Sequence, residues 1–247
     1  KIACRLTKAD AALLAALATT LQDQLDNLTR REEVMAAEIL RTGKTIVSGD
    51  GYPATTVDFG RDTALTKALV SENTWSGAGS KPLDNLEDWA AEIQNKAGVV
   101  AKTVVMDPDA WKIFRSNASV EKYLDYRRGT TNSLNKDPIV RGKESKARYV
   151  GSIGDFDLWV YNDSYINDSG TLTNLLPSKT VILGSKDGLE GTRCYGAIHD
   201  EKANWTASRY FTKSWIEEDP SVRWLLLQSA PLVVPYRPNA VLCATIG

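Results

Sequence analysis

Cysteine, histidine and long apolar runs are scarce in this 247-residue sequence, and each scarcity excludes a class of protein. Its three cysteines, Cys4, Cys194 and Cys243, are far apart and form no C-x-x-C pair, and His199 is the single histidine. Such a set provides neither a disulfide framework nor a zinc site. No apolar run approaches the ~20 residues that a membrane-spanning helix needs. We expect a protein of a reducing compartment that uses no metal, cofactor or membrane.

Excess charge of either sign is also lacking. The formal net charge is −1, and the longest basic runs are the pairs Arg30-Arg31 and Arg127-Arg128. A near-neutral chain has no general electrostatic attraction to nucleic acid or to anionic lipid. The sequence therefore predicts no sequence-specific binding of nucleic acid.

A long amphipathic helix is the clearest element that is present. Leucine or methionine recurs every seven residues from Leu14 to Met35, which predicts a helix over 7–41 that ends at Gly43. We expect its stripe to pack on a sheet, so that Leu21→Ala lowers the free energy of unfolding by about 2–5 kcal/mol. Because the helix follows Lys1 almost directly, with no initial Met, we also expect that an N-terminal portion is missing.

The remaining elements mix helices and strands without regular alternation, which predicts an α+β fold rather than a doubly wound sheet. Pro82 and Gly98 bound a second helix, and Asp107-Pro108 caps a third. A hairpin is expected at 44–47 and 55–59, with further strands at 99–106, 156–161, 180–183, 193–198, 222–228, 232–234 and 240–246. Seven tryptophans are scattered over these elements, and we expect them to serve packing.

The search for chemistry finds no convincing active site. Gly43-Lys44-Thr45 resembles part of a phosphate-binding loop, but Glu38 stands where the motif needs its first glycine. His199 could serve a catalytic triad, although a surface histidine is the simpler interpretation. Two carboxylate groupings, Asp107 with Asp109 and Glu217 with Glu218, leave open a hydrolase as the alternative from another functional class. We expect no catalytic, cofactor-binding or metal-binding residue.

Five segments in a fixed order carry a family resemblance. They are VVMDPDAWKIFRS (104–116), YRRG (126–129), NLLPSKTVILG (174–184), GTRCYGAI (191–198) and DPSVRWLLLQSAPLVVPYRPNAV (219–241). In this order the sequence resembles the major capsid (head) proteins of lambda-like tailed phages, the phage capsid protein E family, and a prophage is the expected source. No single motif is diagnostic, and the order of all five carries the resemblance.

The resemblance implies the tailed-phage major capsid fold, in which a spine helix supports a peripheral and an axial domain. Residues 1–98 and 199–235 would form the peripheral domain, with the spine helix at 7–41. Residues 99–198 and 236–247 would form the axial domain, whose sheet the last strand would re-enter. Arg127 and Arg128 would lie on an exposed loop at subunit contacts. Family members carry an N-terminal arm and an extended loop before the spine helix, and neither is recognisable here.

The function implied is that of a structural, non-enzymatic subunit of an icosahedral head. Copies would assemble into pentamers and hexamers around the phage DNA, in the virion, after assembly in the cytoplasm of a bacterial host. A scaffold, a portal and a decoration protein would be the other partners. A shell protein of a cargo-enclosing nanocompartment on the same fold is the alternative.

Overall fold

The computed structural model describes residues 8–49, 52–77, 79–122, 146–167, 169–219 and 222–247. The chain divides into two compact units, each taken separately below. One unit comprises residues up to Met35 together with Arg193–Val233, and the other comprises Ala36–Thr192 with Val234–Gly247. Among the described helices, none combines the length and apolar character that crossing a membrane requires.

Helix α1 (Lys8–Thr42) confirms the expected long helix within one residue at each end. Its apolar stripe is buried unevenly: Leu14 is 53% exposed, Leu21 is half-buried, and Met35 and Ile39 are buried. The predicted loss for Leu21→Ala therefore falls to the lower end, about 2 kcal/mol, because part of that side chain stays in water. Gly43 ends the helix at a φ of +73°, where its N–H donates to Ile39 O at 2.8 Å.

A hairpin follows α1 directly, as expected. Strands β1 (Lys44–Gly49) and β2 (Tyr52–Asp58) pair antiparallel, with Lys44 opposite Asp58. The Glu38 carboxylate in the last turns of α1 accepts the Thr45 hydroxyl at 2.7 Å. A nucleotide-binding loop would need a glycine at position 38 and free backbone amides after it. Glu38 instead lies in α1 and bonds to Thr45, so Gly43-Lys44-Thr45 is the end of a helix followed by a strand.

A six-stranded sheet forms the framework of the unit that holds most of the chain. Its strands are β3 (Thr66–Ala68), β4 (Thr103–Met106), β5 (Ala147–Ile153), β6 (Phe156–Tyr161), β9 (Thr180–Gly184) and β14 (Val241–Thr245), in the order β3-β14-β9-β4-β6-β5. Strand β14 pairs antiparallel with β9 and parallel with β3. The expected entry of the last strand into the sheet of the 99–198 segment is confirmed.

Two helices and an aromatic cluster build the core against this sheet. Helix α2 (Pro82–Ala97) buries Leu86, Trp89 and Ile93 at helical spacing and ends at Gly98 in the left-handed conformation. Helix α3 (Pro108–Arg115) buries Phe114. Trp75 stacks on Trp89 with ring centroids 5.8 Å apart and lies 5.5 Å from Phe114. Both helix boundaries agree with those expected from Pro82, Gly98 and Asp107-Pro108.

Three two-stranded sheets complete the strands. They pair β7 (Ser164–Ile166) with β8 (Leu172–Asn174), β10 (Gly191–Tyr195) with β13 (Pro231–Pro235), and β11 (Phe211–Glu217) with β12 (Val222–Gln228). The segment expected to run as a strand from Val99 is extended only from Thr103. Strands β3, β5, β7, β8 and β11 were not expected. Strands β3, β7 and β8 have only three residues each, β11 exposes residues of both faces, and β5 mixes polar residues and a glycine with its apolar ones.

Candidate assembly surfaces

The candidate catalytic carboxylates Asp107 and Asp109 serve the start of α3. Asp107 is 3% exposed, and its carboxylate accepts N–H groups from Asp109 at 3.0 Å, Ala110 at 3.1 Å and Thr180 at 3.0 Å. Such a residue is a helix N-cap that also joins α3 to β9. The exposed Asp109 accepts from Lys112 and Ser178, and these bonds hold the pKa of its carboxyl below the ordinary value. These contacts of Asp107 and Asp109 cap the helix and join it to neighbouring residues, which is a structural role.

The second grouping, Glu217 and Glu218, lies at the exposed end of β11. Glu217 accepts the indole N–H of Trp224 at 2.7 Å, across the strand pair. Glu218 is exposed in the turn that follows. We expected a solvated turn for both, and the structure extends the strand through Glu217.

His199 contacts the edge of Trp205, with ring centroids 4.3 Å apart. Trp205 is 54% exposed, so the pair lies at the surface and not in a cleft. Within the described ranges, no three His, Cys, Asp or Glu side chains come together as a metal site would require. The expected interface residues Arg127 and Arg128 lie outside the described residues, so their place at subunit contacts stays a prediction.

A buried carboxylate on α1 was missed by the sequence reasoning. Glu32 is 5% exposed, accepts the Tyr195 hydroxyl at 3.0 Å and pairs with Arg193 at 3.3 Å. Burial, and then the bond to Glu32, raises the pKa of Tyr195 above its ordinary value. The cluster ties α1 to β10. Glu32 lies four residues after Leu28 and three before Met35, so it stands within the apolar stripe, and a charge at such a position was the signal that could have found it.

A buried arginine was also missed. Arg61, 8% exposed, donates from its guanidinium to the carbonyls of Leu40 and Arg41 at the end of α1 and to the hydroxyl of Thr66. The carbonyls of a last helical turn have no partner within the helix, and a cation there also meets the negative end of the helix dipole. Arg61 therefore caps the C-terminal end of α1, although it lies 20 residues after Arg41 in the sequence.

The hairpin β11–β12 carries an exposed surface that is mostly apolar. One side carries Lys213, Trp215 and Glu217 on β11, opposite Leu226, Trp224 and Val222 on β12. We call these six residues the tryptophan face. Trp215 is 42% exposed and Trp224 is 48% exposed, and their rings stack with centroids 6.3 Å apart. The expectation that the tryptophans serve packing is confirmed for Trp75 and Trp89 and is wrong for these two and for Trp205.

A smaller apolar projection lies on the other compact unit. Ile166 and Leu172 face each other across the end of the hairpin β7–β8, and they are 71% and 68% exposed. Exposed apolar groups of this kind mark interaction surfaces when they cluster. Neither unit presents, among its described residues, a cleft in which the candidate carboxylates converge.

Comparison with known proteins shows the family to which the chain belongs. Residues 4–246 match the family described as phage major capsid protein E. The chain belongs to this family. It is 30% identical over 223 residues to the major capsid protein of Escherichia phage lambda and 31% identical over 224 residues to that of Enterobacteria phage phi80. Each match covers 89% of this chain and 64% of the relative, so the chain spans less than two thirds of their length.

A solved structure has the same fold. The chain superposes on a prophage capsid protein of E. coli CFT073 with a TM-score of 0.76 at 23% identity, over 100% of this chain and 74% of that one. The α+β capsid fold expected from the five segments is thereby confirmed. The resemblance of the sequence to major capsid proteins of lambda-like phages is confirmed by the family match and by these relatives.

Proposed function

We propose that this chain is a structural, non-enzymatic part of the head shell of a tailed phage or prophage. The family match over nearly the whole chain carries the proposal. The exposed apolar residues of the two hairpins support it, because a shell subunit needs contact surfaces rather than a pocket. A net charge of −1 supports it as well, since many like-charged copies would otherwise repel one another.

The proposal includes the shell geometry and the partners. Copies of the protein form pentamers and hexamers that close into an icosahedral shell around DNA, first in the host cytoplasm and then as part of the virion. A scaffold, a portal and a decoration protein act with it. The support is the kind of relatives that the chain matches, which include the major capsid proteins of phages lambda and phi80 and a P21 prophage-derived major head protein.

We also propose the two-domain division for this chain, with residues 1–98 and 199–235 peripheral and 99–198 and 236–247 axial. The compact units divide the chain differently, since α2 and β3 belong to the unit that holds β4, β6 and β9. Arg127 and Arg128 are proposed at the subunit contacts of the axial domain. Cross-linking of assembled particles, read by mass spectrometry, tests both parts.

Electron microscopy of the natural protein tests the function itself. The protein is expressed as its natural gene encodes it and together with its scaffold. We expect closed or ring-like particles. Monodisperse monomers under every condition would contradict the proposal.

A further inference from the structure

The tryptophan face is arranged with its charges at opposite ends. Along β11, Lys213 and Glu217 lie two residues on either side of Trp215. Along β12, the residues opposite these charges are Leu226 and Val222, on either side of Trp224. The Lys213 ammonium is 5.7 Å from the centre of the Trp215 ring, and Glu217 accepts from Trp224, so both charges border the aromatic pair.

The opposite side of the same hairpin is different. It holds the side chains of Leu225 and Leu227 half-buried. The main-chain carbonyl of Leu225, which lies in the plane of the sheet, accepts the side-chain amide of Gln24 on α1 at 3.4 Å. Ile216 also belongs to this side and is 58% exposed. The tryptophan face is thus the side that leaves two large stacked rings in water, which is costly unless a partner covers them.

Symmetry shows which partner fits. If a second copy of this face is turned about a two-fold axis that lies between the two sheets and runs across the strands, each strand opposes its own copy in reverse direction. Lys213 then opposes Glu217 of the second copy, Leu226 opposes Val222, and each tryptophan opposes itself. An axis along the strands would instead place Lys213 on Leu226 and Glu217 on Val222, which would bury charges against apolar groups.

We propose that the tryptophan face binds the same face of a second copy of this chain about the two-fold axis that runs across the strands. The inference rests on the proposed function, since it names one contact by which copies associate. Six side chains cover roughly a few hundred Å², less than a stable dimer needs, so the contact is weak singly. In a closed shell it is strengthened by the other contacts that hold the same copies together.

Zero-length cross-linking of a carboxylate to an amine tests the geometry on the unaltered chain. Chains labelled with ¹⁵N are mixed with unlabelled chains, and cross-linked peptides are identified by mass spectrometry. We expect a Lys213–Glu217 link that joins a heavy and a light peptide. Lys213 also lies 2.7 Å from Asp200 of its own chain, which provides an internal positive control within one isotope. Mixed-isotope links from Glu217 to another lysine, or the absence of the Lys213–Glu217 link from assembled particles, would overturn the two-fold arrangement.

Matched substitutions test the energetic part. Trp215→Thr with Trp224→Thr removes the rings and keeps β propensity, and Ile216→Thr changes an even more exposed residue on the opposite side. We expect the double variant to reduce the mixed-isotope link at least about 30-fold, as loss of an aromatic hot spot does, and the Ile216 variant to leave it unchanged. Circular dichroism confirms that each variant is folded. Equal loss in both would refute the proposal.

The two proposals fail in distinguishable ways. If the natural protein forms particles in which the Lys213–Glu217 link is absent, the face is not a contact between copies and the shell function stands. If the link forms and no particle is ever observed, the contact stands and the shell function fails.

Discussion

Replacing Arg61 by methionine is the sharpest test of the fold. The guanidinium donates to two carbonyls in the last turn of α1, at 2.7 Å for Leu40 O, and to the hydroxyl of Thr66 at the start of β3. Methionine keeps much of the buried stem and removes all of these donors. The first effect is therefore a loss of hydrogen bonds at nearly constant packing.

The magnitude follows from the kind of bond. A hydrogen bond to a charged group contributes about 1.5–3 kcal/mol, so the two carbonyl bonds contribute about 3–6 kcal/mol. A cation at a helix C-terminus adds about 0.3–1 kcal/mol. Burial of the guanidinium opposes these terms, as shown by the lowering of the pKa of Arg61 through desolvation. We expect a net loss of about 3 kcal/mol for Arg61→Met, and about 1–2 kcal/mol for Arg61→Lys, which keeps the charge and fewer donors.

Urea unfolding followed by circular dichroism measures the loss. The matched control is Lys67→Met, which removes an ion pair of 2.8 Å with Glu92 whose side chains are 30% and 24% exposed, and it should cost about 1 kcal/mol or less. Hydrogen exchange at Gly43, whose N–H closes the last turn of α1, should accelerate in the Arg61 variants. If Arg61→Met cost no more than the control, the guanidinium would not be what holds the end of α1.

Three further perturbations address other sites. Asp107→Ala leaves three N–H groups without their acceptor and should lower the free energy of unfolding by about 2–4 kcal/mol. Asp109→Ala at the exposed neighbouring position should change it far less, and urea midpoints of the two variants measure the difference. Burial raises the pKa of the Cys243 thiol, so a thiol reagent at pH 8 should modify the exposed Cys194 and spare Cys243 until the chain unfolds; equal rates would contradict this. The bonds from Lys96 and then Ala64 N–H hold the pKa of Asp62 below 3.8. Its contribution is complete above that value and is lost as the pH falls through the folded-state pKa, so Asp62→Asn should destabilise at pH 7 and match the parent at low pH.

The elements that the sequence predicted are those whose signals are local. Pro82 and Gly98 bound α2, and Asp107-Pro108 begins α3, because caps and prolines act within a turn of the residue that carries them. Strands β4, β6 and β9 each carry a run of at least three apolar residues. In each case the signal and the structure are a few residues apart.

The features that were missed depend on partners that are distant in sequence or outside the chain. Strand β11 alternates Lys213, Trp215 and Glu217 with Thr212, Ser214 and Ile216, so neither face reads as a core face. Arg61 belongs to no sequence pattern, and its partners at the end of α1 come close to it only in the folded chain. The tryptophan face could be suspected from two tryptophans nine residues apart, but their alignment requires the register of the hairpin.

The position of β14 has a consequence for synthesis of the protein. This strand is translated after all other strands of the six-stranded sheet, yet it lies between β3 and β9. A nascent chain that stops before Val241 would leave both of those neighbours with unpaired backbone groups, which invite aggregation or degradation. We infer that the sheet closes only when this late segment emerges. A product that ends before Val241 would lack the strand that joins β3 to the rest of the sheet.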